Sequence, residues 1–383
     1  VTQVIAGAPS PIRRARGFVP DPIDLGADGP VVLATGAHLK ATVTVTRGRE
    51  AFVSQHVGDL DTVETVKFYR ETAAHLLSLL DVRPEIVACD LHPDFRSSRF
   101  ALEFDAPVLP VQHHAAHVAA IAAEHGHSGP ILGLALDGIG HGDDGGAWGG
   151  ELIRLDGAAW TRLGHLAPLA LPGGDKAARE PWRMGLAALQ AIGRIDRARD
   201  LFAGETALDP LLARLAAGRE ATTTSCGRLF DAAVGLLGSR RRQDHEGQSA
   251  TELEALVGTP TLGSGLFTLA GGVLDFAPLL AELARPGLDA RGGAELFHGA
   301  LIDGFTALAA AHAARGDRIA LGGGCLMNRV LAEGLVARLA EHGLTALLAR
   351  RVPANDGGLS LGQAALARAH GRTIETEIDE KTP

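Results

Sequence analysis

The feature that most restricts this chain is a pair of strand-to-glycine transitions lying far apart in the sequence. Ile131–Asp137 reads as a buried strand that enters the glycine run GIGHGDDGG, and Ala147–Leu155 returns from it as a second strand. Ile319–Leu321 enters Gly322-Gly323-Gly324, and a helix follows to about Leu339. Glycines behind a strand let backbone N–H groups come close to a ligand, and in open α/β sheets that crevice is where ligands sit. Two such units predict two α/β lobes meeting at a nucleotide cleft. Neither is a Walker A loop, because no Gly-Lys-Ser/Thr follows the triglycine, and neither fits GxGxxG.

Length and patterning agree with that division. The 383 residues suffice for two to three compact units, and 46% hydrophobic content supplies a core. PSPIRRARG and FVPDPIDLG, with four prolines and three arginines, read as an entering linker over the first 26 residues, solvated and without regular structure. Strands are expected at Val31–Thr35, from Ala41–Val45 on to Ala51–Ser54, at Ile86–Cys89, Val108–Val111 and Ala346–Ala349, and helices at Thr62–Leu80 and Ala115–Glu124. The middle reads as helical, with Trp182–Ile192, Pro210–Ala217, Arg228–Leu237, Ala250–Val257 and the run Gly293–Arg315. A last helix starts after Gly357 and ends near His370, ahead of a frayed polar tail. The division is a linker remnant over 1–18, lobe one over about 19–130 plus the C-terminal helix, lobe two over about 131–351, and a tail over 373–383.

Whole classes of function are disfavoured. The net charge is −9 and the basic residues are dispersed, which argues against a nucleic-acid surface. No apolar run reaches the ~18 residues of a membrane span. Cys89, Cys226 and Cys325 form no CxxC pair, as suits a reducing cytosol. A cytoplasmic enzyme is the expectation.

Several clusters carry chemistry. In VQHHAAHVAA, His113 and His117 stand four apart at a helix start, so both imidazoles face one way and suit a shared metal ion. The bland alternative is two surface histidines, and His114, about 100° round the helix, reads as structural. Asp137 ends a strand ahead of Gly138, Gly140 and Gly142, the position of a carboxylate that holds a cation; a solvated glycine hairpin is the alternative. Asp356, in the PANDGG turn before a helix, is either a cap or a fourth hard ligand, and such an N/O set suits Fe(II), Zn or Mn. Lysine is rare here, which makes Lys40, just past Gly36, notable as a phosphate contact. SQHVGDLD carries His56, CDLHPDFRSSR carries Asp90 and His92, and DHEGQSA carries Gly247. No nucleophile elbow is visible, and Cys325 reads as packing.

These segments together resemble the C-terminal carbamoyltransferase module of the HypF family of hydrogenase maturation proteins. The resemblance runs from RRARGFVPDPI at Arg13 to LGQAALA near Ala367. It rests on GAHLKAT, SQHVGDLD, CDLHPDF, QHHAAH, ALDGIGHGDDGGAWGGE, LPGGDKAAREPWRM, GRLFDA, EGQSATELEAL, GGGCLMNR and PANDGGLSLGQA, all in the family's order. That module is similar to the tRNA threonylcarbamoyl-transfer proteins and implies two RNase-H-like lobes of the actin/hexokinase/Hsp70-like ATPase superfamily. The resemblance implies that His113, His117, Asp137 and Asp356 bind one divalent metal, Fe or Zn with Mg or Mn as further candidates. It places Gly322, Gly323, Gly324 and Asn328 at the adenosine, Asp231 on the ribose and Gly247 against the nucleoside. Gly138, Gly140, Gly142 and Lys40 fall at the phosphate end. The implied reaction uses ATP and carbamoyl phosphate, through carbamoyl-adenylate, to carbamoylate the C-terminal cysteine of a HypE-like partner. His56 or His92 is the expected base for that thiol. Full-length members carry acylphosphatase-like, zinc-finger and YrdC-like domains upstream, for which this chain has no counterpart. It is therefore expected to be a fragment, or a short form served by a YrdC-like domain in trans. The rival readings are a small-molecule O-carbamoyltransferase and a non-catalytic docking fragment.

Overall fold

The computed structural model describes residues 1–381, with side chains described through Gly371. Its two principal sheets share one connectivity. The strands in chain order are β1 (Thr2–Ile5), β2 (Ala8–Pro11), β3 (Ile23–Asp24), β4 (Val32–Ala34), β5 (Thr44–Arg47), β6 (Glu50–Val53), β7 (Ile86–Asp90) and β8 (Val108–Val111). They continue with β9 (Ile131–His141), β10 (Ala147–Asp156), β11 (Ala159–Leu166), β12 (Leu169–Ala170), β13 (Thr222–Thr223), β14 (Thr268–Ala270), β15 (Val273–Asp275), β16 (Arg318–Gly322) and β17 (Thr345–Leu347). The first sheet has the order β3-β6-β5-β4-β7-β8 and the second the path β14-β15-β11-β10-β9-β16-β17. In each, three consecutive strands form an antiparallel meander, and the first of them is flanked by two later parallel strands: β4 by β7 then β8, and β9 by β16 then β17. This repeated order is the RNase-H-like pattern that the resemblance implied.

Helices cover the sheets because the parallel strands must be buried on both faces. The His113–Glu124 helix leaves β8, packs on β9, β10 and β16, and lies along the Leu359–Lys381 helix. That last helix also packs on β4, β5 and β7 of the first sheet. The largest cluster of buried apolar residues draws on both sheets, from Val32 and Ala88 to Leu134 and Leu321. A second cluster, including Leu33, Val45, Tyr69 and Phe100, fills the other face of the first sheet under the Val63–Leu80 helix. Among the described residues no helix is long and apolar enough to cross a membrane.

Some expectations need correction. The N-terminal residues are a β1–β2 hairpin, not an unstructured linker. Ala6 and Gly7 both have positive φ, the requirement of a two-residue hairpin turn whose twist matches its strands. The hairpin is docked: the Gln3 amide donates to the Met327 carbonyl, and Glu333 accepts the Ala6 N–H. Arg14, expected in solvent, is 1% exposed and donates to the carbonyls of Val53, Phe18, Asp21 and Arg351. Backbone oxygens replace water around its guanidinium, which is what permits its burial. Strand β9 runs beyond Asp137 through Gly138 and Gly140 to His141, so only Gly142–Gly146 form the turn. The final helix extends past His370 to Lys381, and the last two residues of the expected polar tail lie outside the described residues. Strands β11, β14 and β15 and the Arg96–Ala101 helix lie outside the expected elements.

Candidate functional site

The site begins where β8 hands over to the His113–Glu124 helix. Gln112 is the N-cap: its side-chain oxygen accepts the Ala115 N–H at 2.8 Å. Its amide nitrogen lies 3.0 Å from His114 Nδ1 and 3.2 Å from the His141 carbonyl. The cap starts the helix at His113, so His113 and His117 stand one turn apart and point at β9. Both are almost fully buried, and neither Nε2 has a hydrogen-bond partner. Facing them are Asp137 from β9 and Asp356 from the turn before the last helix. Asp137 Oδ2 is 3.4 Å from His113 Nε2 and 3.8 Å from His117 Nε2, and Asp356 Oδ1 is 3.8 and 3.6 Å from the same two atoms. The four ligand atoms lie within 4.8 Å of one another. Around a tetrahedral ion with bonds of about 2.1 Å, ligand atoms stand roughly 3.4 Å apart. The two imidazoles and two carboxylates therefore have the chemistry and the spacing of a divalent-metal site.

The surroundings reinforce this fit. Asp90, at the end of β7, places Oδ2 2.7 Å from His113 Nδ1, so the carboxylate holds Nδ1–H and leaves Nε2 free to ligate. Burial alone would lower the pKa of His113, but Asp90, Asp137 and Asp356 outweigh it and raise it well above the ordinary value. His117 is likewise raised against its burial by Asp137 and Asp356. The carboxylates demand positive charge at this point, which a proton or a metal cation can supply. His114 behaves oppositely: burial and the neighbouring His113 push it well down, so it stays neutral. It packs edge-on to His113 and beside Trp148, as a structural residue does.

A cavity of about 260 Å³ opens from Asp137 and Asp356 between the sheets. Lys40, Asp231, Gly247 and Asn328 line it, as do Gly138 and Gly324. Lys40 Nζ is 2.6 Å from Glu246, across the mouth from one sheet to the other. Burial works against its charge, but Asp356, Glu246 and Asp137 raise the lysine to about 12, so it remains a cation. Asp231 is held by Arg228 at 2.7 Å and by Gln243 at 2.9 Å, yet burial pushes its carboxyl up to about 6. Gly247, with φ +72°, is the N-cap of the Gln248–Ala255 helix, a left-handed turn that favours glycine. Asn328 caps the Arg329–Glu341 helix through the Leu331 N–H at 2.9 Å.

The remaining expected residues lie elsewhere. A side chain at Gly140 would meet the rings of His113 and His114, one at Gly142 would meet Trp148, one at Gly322 the His117 backbone, and one at Gly323 the Leu136 backbone. These four glycines permit close packing around the four-ligand cluster and are not among the residues lining the cavity. His56 and His92 are also absent from its lining. His92 stacks on Phe95 at 4.2 Å, and its Nδ1 accepts the Asp94 N–H. Burial and His141 keep it neutral, so its proton sits on Nε2 and it offers no lone pair there. His56 is half-buried and kept neutral by that burial and by Arg13, close to Asp59 and Lys40. Asp90 and Glu246 stand in clusters the sequence marks as polar but give no sign of their tasks, and Gln243 carries no signal at all, since a residue that orients another has no spacing of its own.

Residues 27–124 match the HypF Kae1-like domain family, and residues 133–363 match the second subdomain of the Kae1-like carbamoyltransferase domain. A carbamoyltransferase HypF homologue from Cupriavidus necator is 43% identical over 89% of this chain and 92% of its own length. The chain belongs to the HypF family. Carbamoyltransferase HypF of Rhizobium leguminosarum bv. viciae is 58% identical over 99% of this chain, yet the chain spans only 51% of that protein. A crystal structure of full-length HypF in its phosphate- and nucleotide-bound form superposes with a TM-score of 0.89 at 32% identity, covering 96% of this chain and 50% of that one. Against these HypF proteins, this chain corresponds to the Kae1-like module.

Proposed function

We propose that this chain transfers a carbamoyl group from carbamoyl-adenylate to the C-terminal cysteine of a HypE-like partner, the precursor of the cyanide ligands of a [NiFe]-hydrogenase. The observation that carries the reading is the four-ligand cluster at one end of a cavity that also presents Lys40, Asp231 and Asn328. In this reading His113, His117, Asp137 and Asp356 hold one divalent ion, Fe or Zn. When bound, such an ion supplies Lewis-acid chemistry, lowering phosphate charge so that AMP leaves more readily.

The chain's own residues then have defined tasks. Lys40, a cation at the cavity mouth, exchanges its Glu246 partner for the phosphate. Asp231, fixed by Arg228 and Gln243, accepts from the ribose hydroxyls. Gly138 and Gly324 keep side chains away from the reacting centre. The partner's sulfur forms a bond to the carbamoyl carbon, the carbon–oxygen bond to AMP breaks, and the thiol proton passes to a base. His56 or His92 is the base in this reading; His92 Nδ1 already accepts the Asp94 N–H, which favours His56. The adenylate comes from ATP and carbamoyl phosphate on a YrdC-like domain, either joined to this module or acting in trans.

The test is intact-mass spectrometry of the HypE-like acceptor after incubation with this chain, ATP and carbamoyl phosphate, with and without a separately produced YrdC-like domain. A single carbamoyl gain that requires this chain and the donor domain supports transfer. No gain in either reaction, while a full-length HypF modifies the same acceptor, would leave only the docking reading.

A further inference from the structure

His298 lies wholly buried in the Ala290–Ala310 helix, between the rings of Phe230 and Phe297. Its Nδ1 is 2.8 Å from the Ala294 carbonyl, and its Nε2 is 2.9 Å from Asn328 Nδ2. Only one proton arrangement satisfies both contacts. Nδ1–H donates to the carbonyl, which can only accept, and the Nε2 lone pair accepts from the amide. Burial holds the pKa of this imidazole down to about 4, so the ring is neutral at physiological pH.

The neutral ring fixes Asn328. Its Oδ1 accepts the Leu331 N–H at 2.9 Å, and its Nδ2 donates one hydrogen to His298. Turning the amide over would set oxygen against the histidine lone pair and NH₂ against an N–H, losing both bonds. The second hydrogen on Nδ2 has no partner among the described residues, and Asn328 lines the cavity. A group held in this way presents a donor to whatever fills that part of the cleft.

We infer that His298 is a positioning residue, locking Asn328 as a hydrogen-bond donor to an acceptor atom of a bound nucleoside. The inference rests on the nucleotide reading of the cleft proposed above. His298 itself touches no ligand and acts only through the amide. Its ring neighbours are apolar, so a phenylalanine can occupy its place, and the polar consequence is that the Asn328 amide loses the acceptor that fixes it.

The experiment is calorimetric titration of AMP into the full chain and three variants: His298→Phe, Asn328→Ser, and the double variant. Serine is as good an N-cap as asparagine, so Asn328→Ser keeps the helix start and removes only the amide. Each single change weakens AMP binding about 2- to 12-fold, the worth of one hydrogen bond. In the Asn328→Ser background, His298→Phe costs less than about twofold more, because the group it positions is gone. Melting temperatures measured alongside separate this from a structural role, which would lower stability and affinity equally in both backgrounds. Unchanged affinity in His298→Phe, or full additivity in the double variant, overturns the role of His298 while leaving nucleotide binding intact. A folded wild-type chain that does not bind AMP overturns the nucleotide reading and this inference with it.

Discussion

Asp90→Asn is the sharpest probe of the metal cluster because it changes a group that is not itself a ligand. The carboxylate is wholly buried and accepts twice: from His113 Nδ1 at 2.7 Å and from the His92 N–H at 2.8 Å. Asparagine has nearly the same shape but only one oxygen, so one of these donors must face an NH₂ group. Losing a charge-assisted hydrogen bond costs about 1.5–3 kcal/mol. Removing the outer partner of a ligating histidine lowers metal affinity about 10- to 100-fold, or roughly 1.4–2.7 kcal/mol, and the two routes agree. Zn(II) binding measured against a chromophoric chelator should therefore weaken by that factor in Asp90→Asn. In a His113→Ala background the same substitution should add almost nothing, since the ring it orients is absent. Affinity within twofold of wild type, with an unchanged melting temperature, would refute the reasoning. An equal loss in both backgrounds would show that Asp90 supports the fold and not His113.

Other expectations follow from the same geometry. His113→Ala and His117→Ala should each abolish the proposed carbamoyl transfer while leaving far-UV circular dichroism intact, because each removes one of four candidate ligands and fills no space. Asp231 has its folded pKa raised to about 6 against an unfolded value of about 3.9, so its contribution to stability is present below about pH 4 and lost as pH rises through 6. Denaturant unfolding across that window should show up to roughly 2–3 kcal/mol of decline that Asp231→Asn flattens. Glu124→Ala removes the acceptor for the N–H groups of Arg350, Arg351 and Val352. It should lower stability by about 3 kcal/mol or more and weaken metal binding together, as read by melting and chelator competition.

What could be read in the sequence follows physical rules about spacing. His113 and His117 were legible as a pair because a helix converts a separation of four into one face, whereas Asp137 was read as a strand end that β9 in fact runs past, to His141. The repeated sheet order was legible only in outline: two strand–glycine units imply two lobes, but pairing partners such as β9 with β16 are set by packing between distant segments. Glycine is ambiguous in a specific way: at Gly140 and Gly322 a histidine ring and a helix backbone press where a side chain would stand, and the sequence writes that demand and close approach of a ligand with the same letter. The N-terminal hairpin misled for the converse reason. Its prolines and arginines read as a linker, yet Arg14 is buried by two nearby carbonyls, of Phe18 and Asp21, and by those of the distant Val53 and Arg351, which no local window contains.

That same arginine bears on how the metal cluster is assembled. Three of the four ligands come from the tightly packed β9 and His113–Glu124 helix, while Asp356 arrives on a turn some way down the chain. Residues 350–352, just before that turn, are gripped from two sides. Glu124, at the far end of the helix that carries His113 and His117, accepts three of their N–H groups, and Arg14 takes the Arg351 carbonyl. The turn is then closed by Asn355, whose side chain accepts the Gly357 N–H at 2.9 Å. Because Glu124 and the histidines share one rigid helix, the distance from Asp356 to the imidazoles is set at both ends of that helix. A defect at Glu124 should therefore be felt at the four-ligand cluster, about two to three turns away, without any change in the ligands themselves.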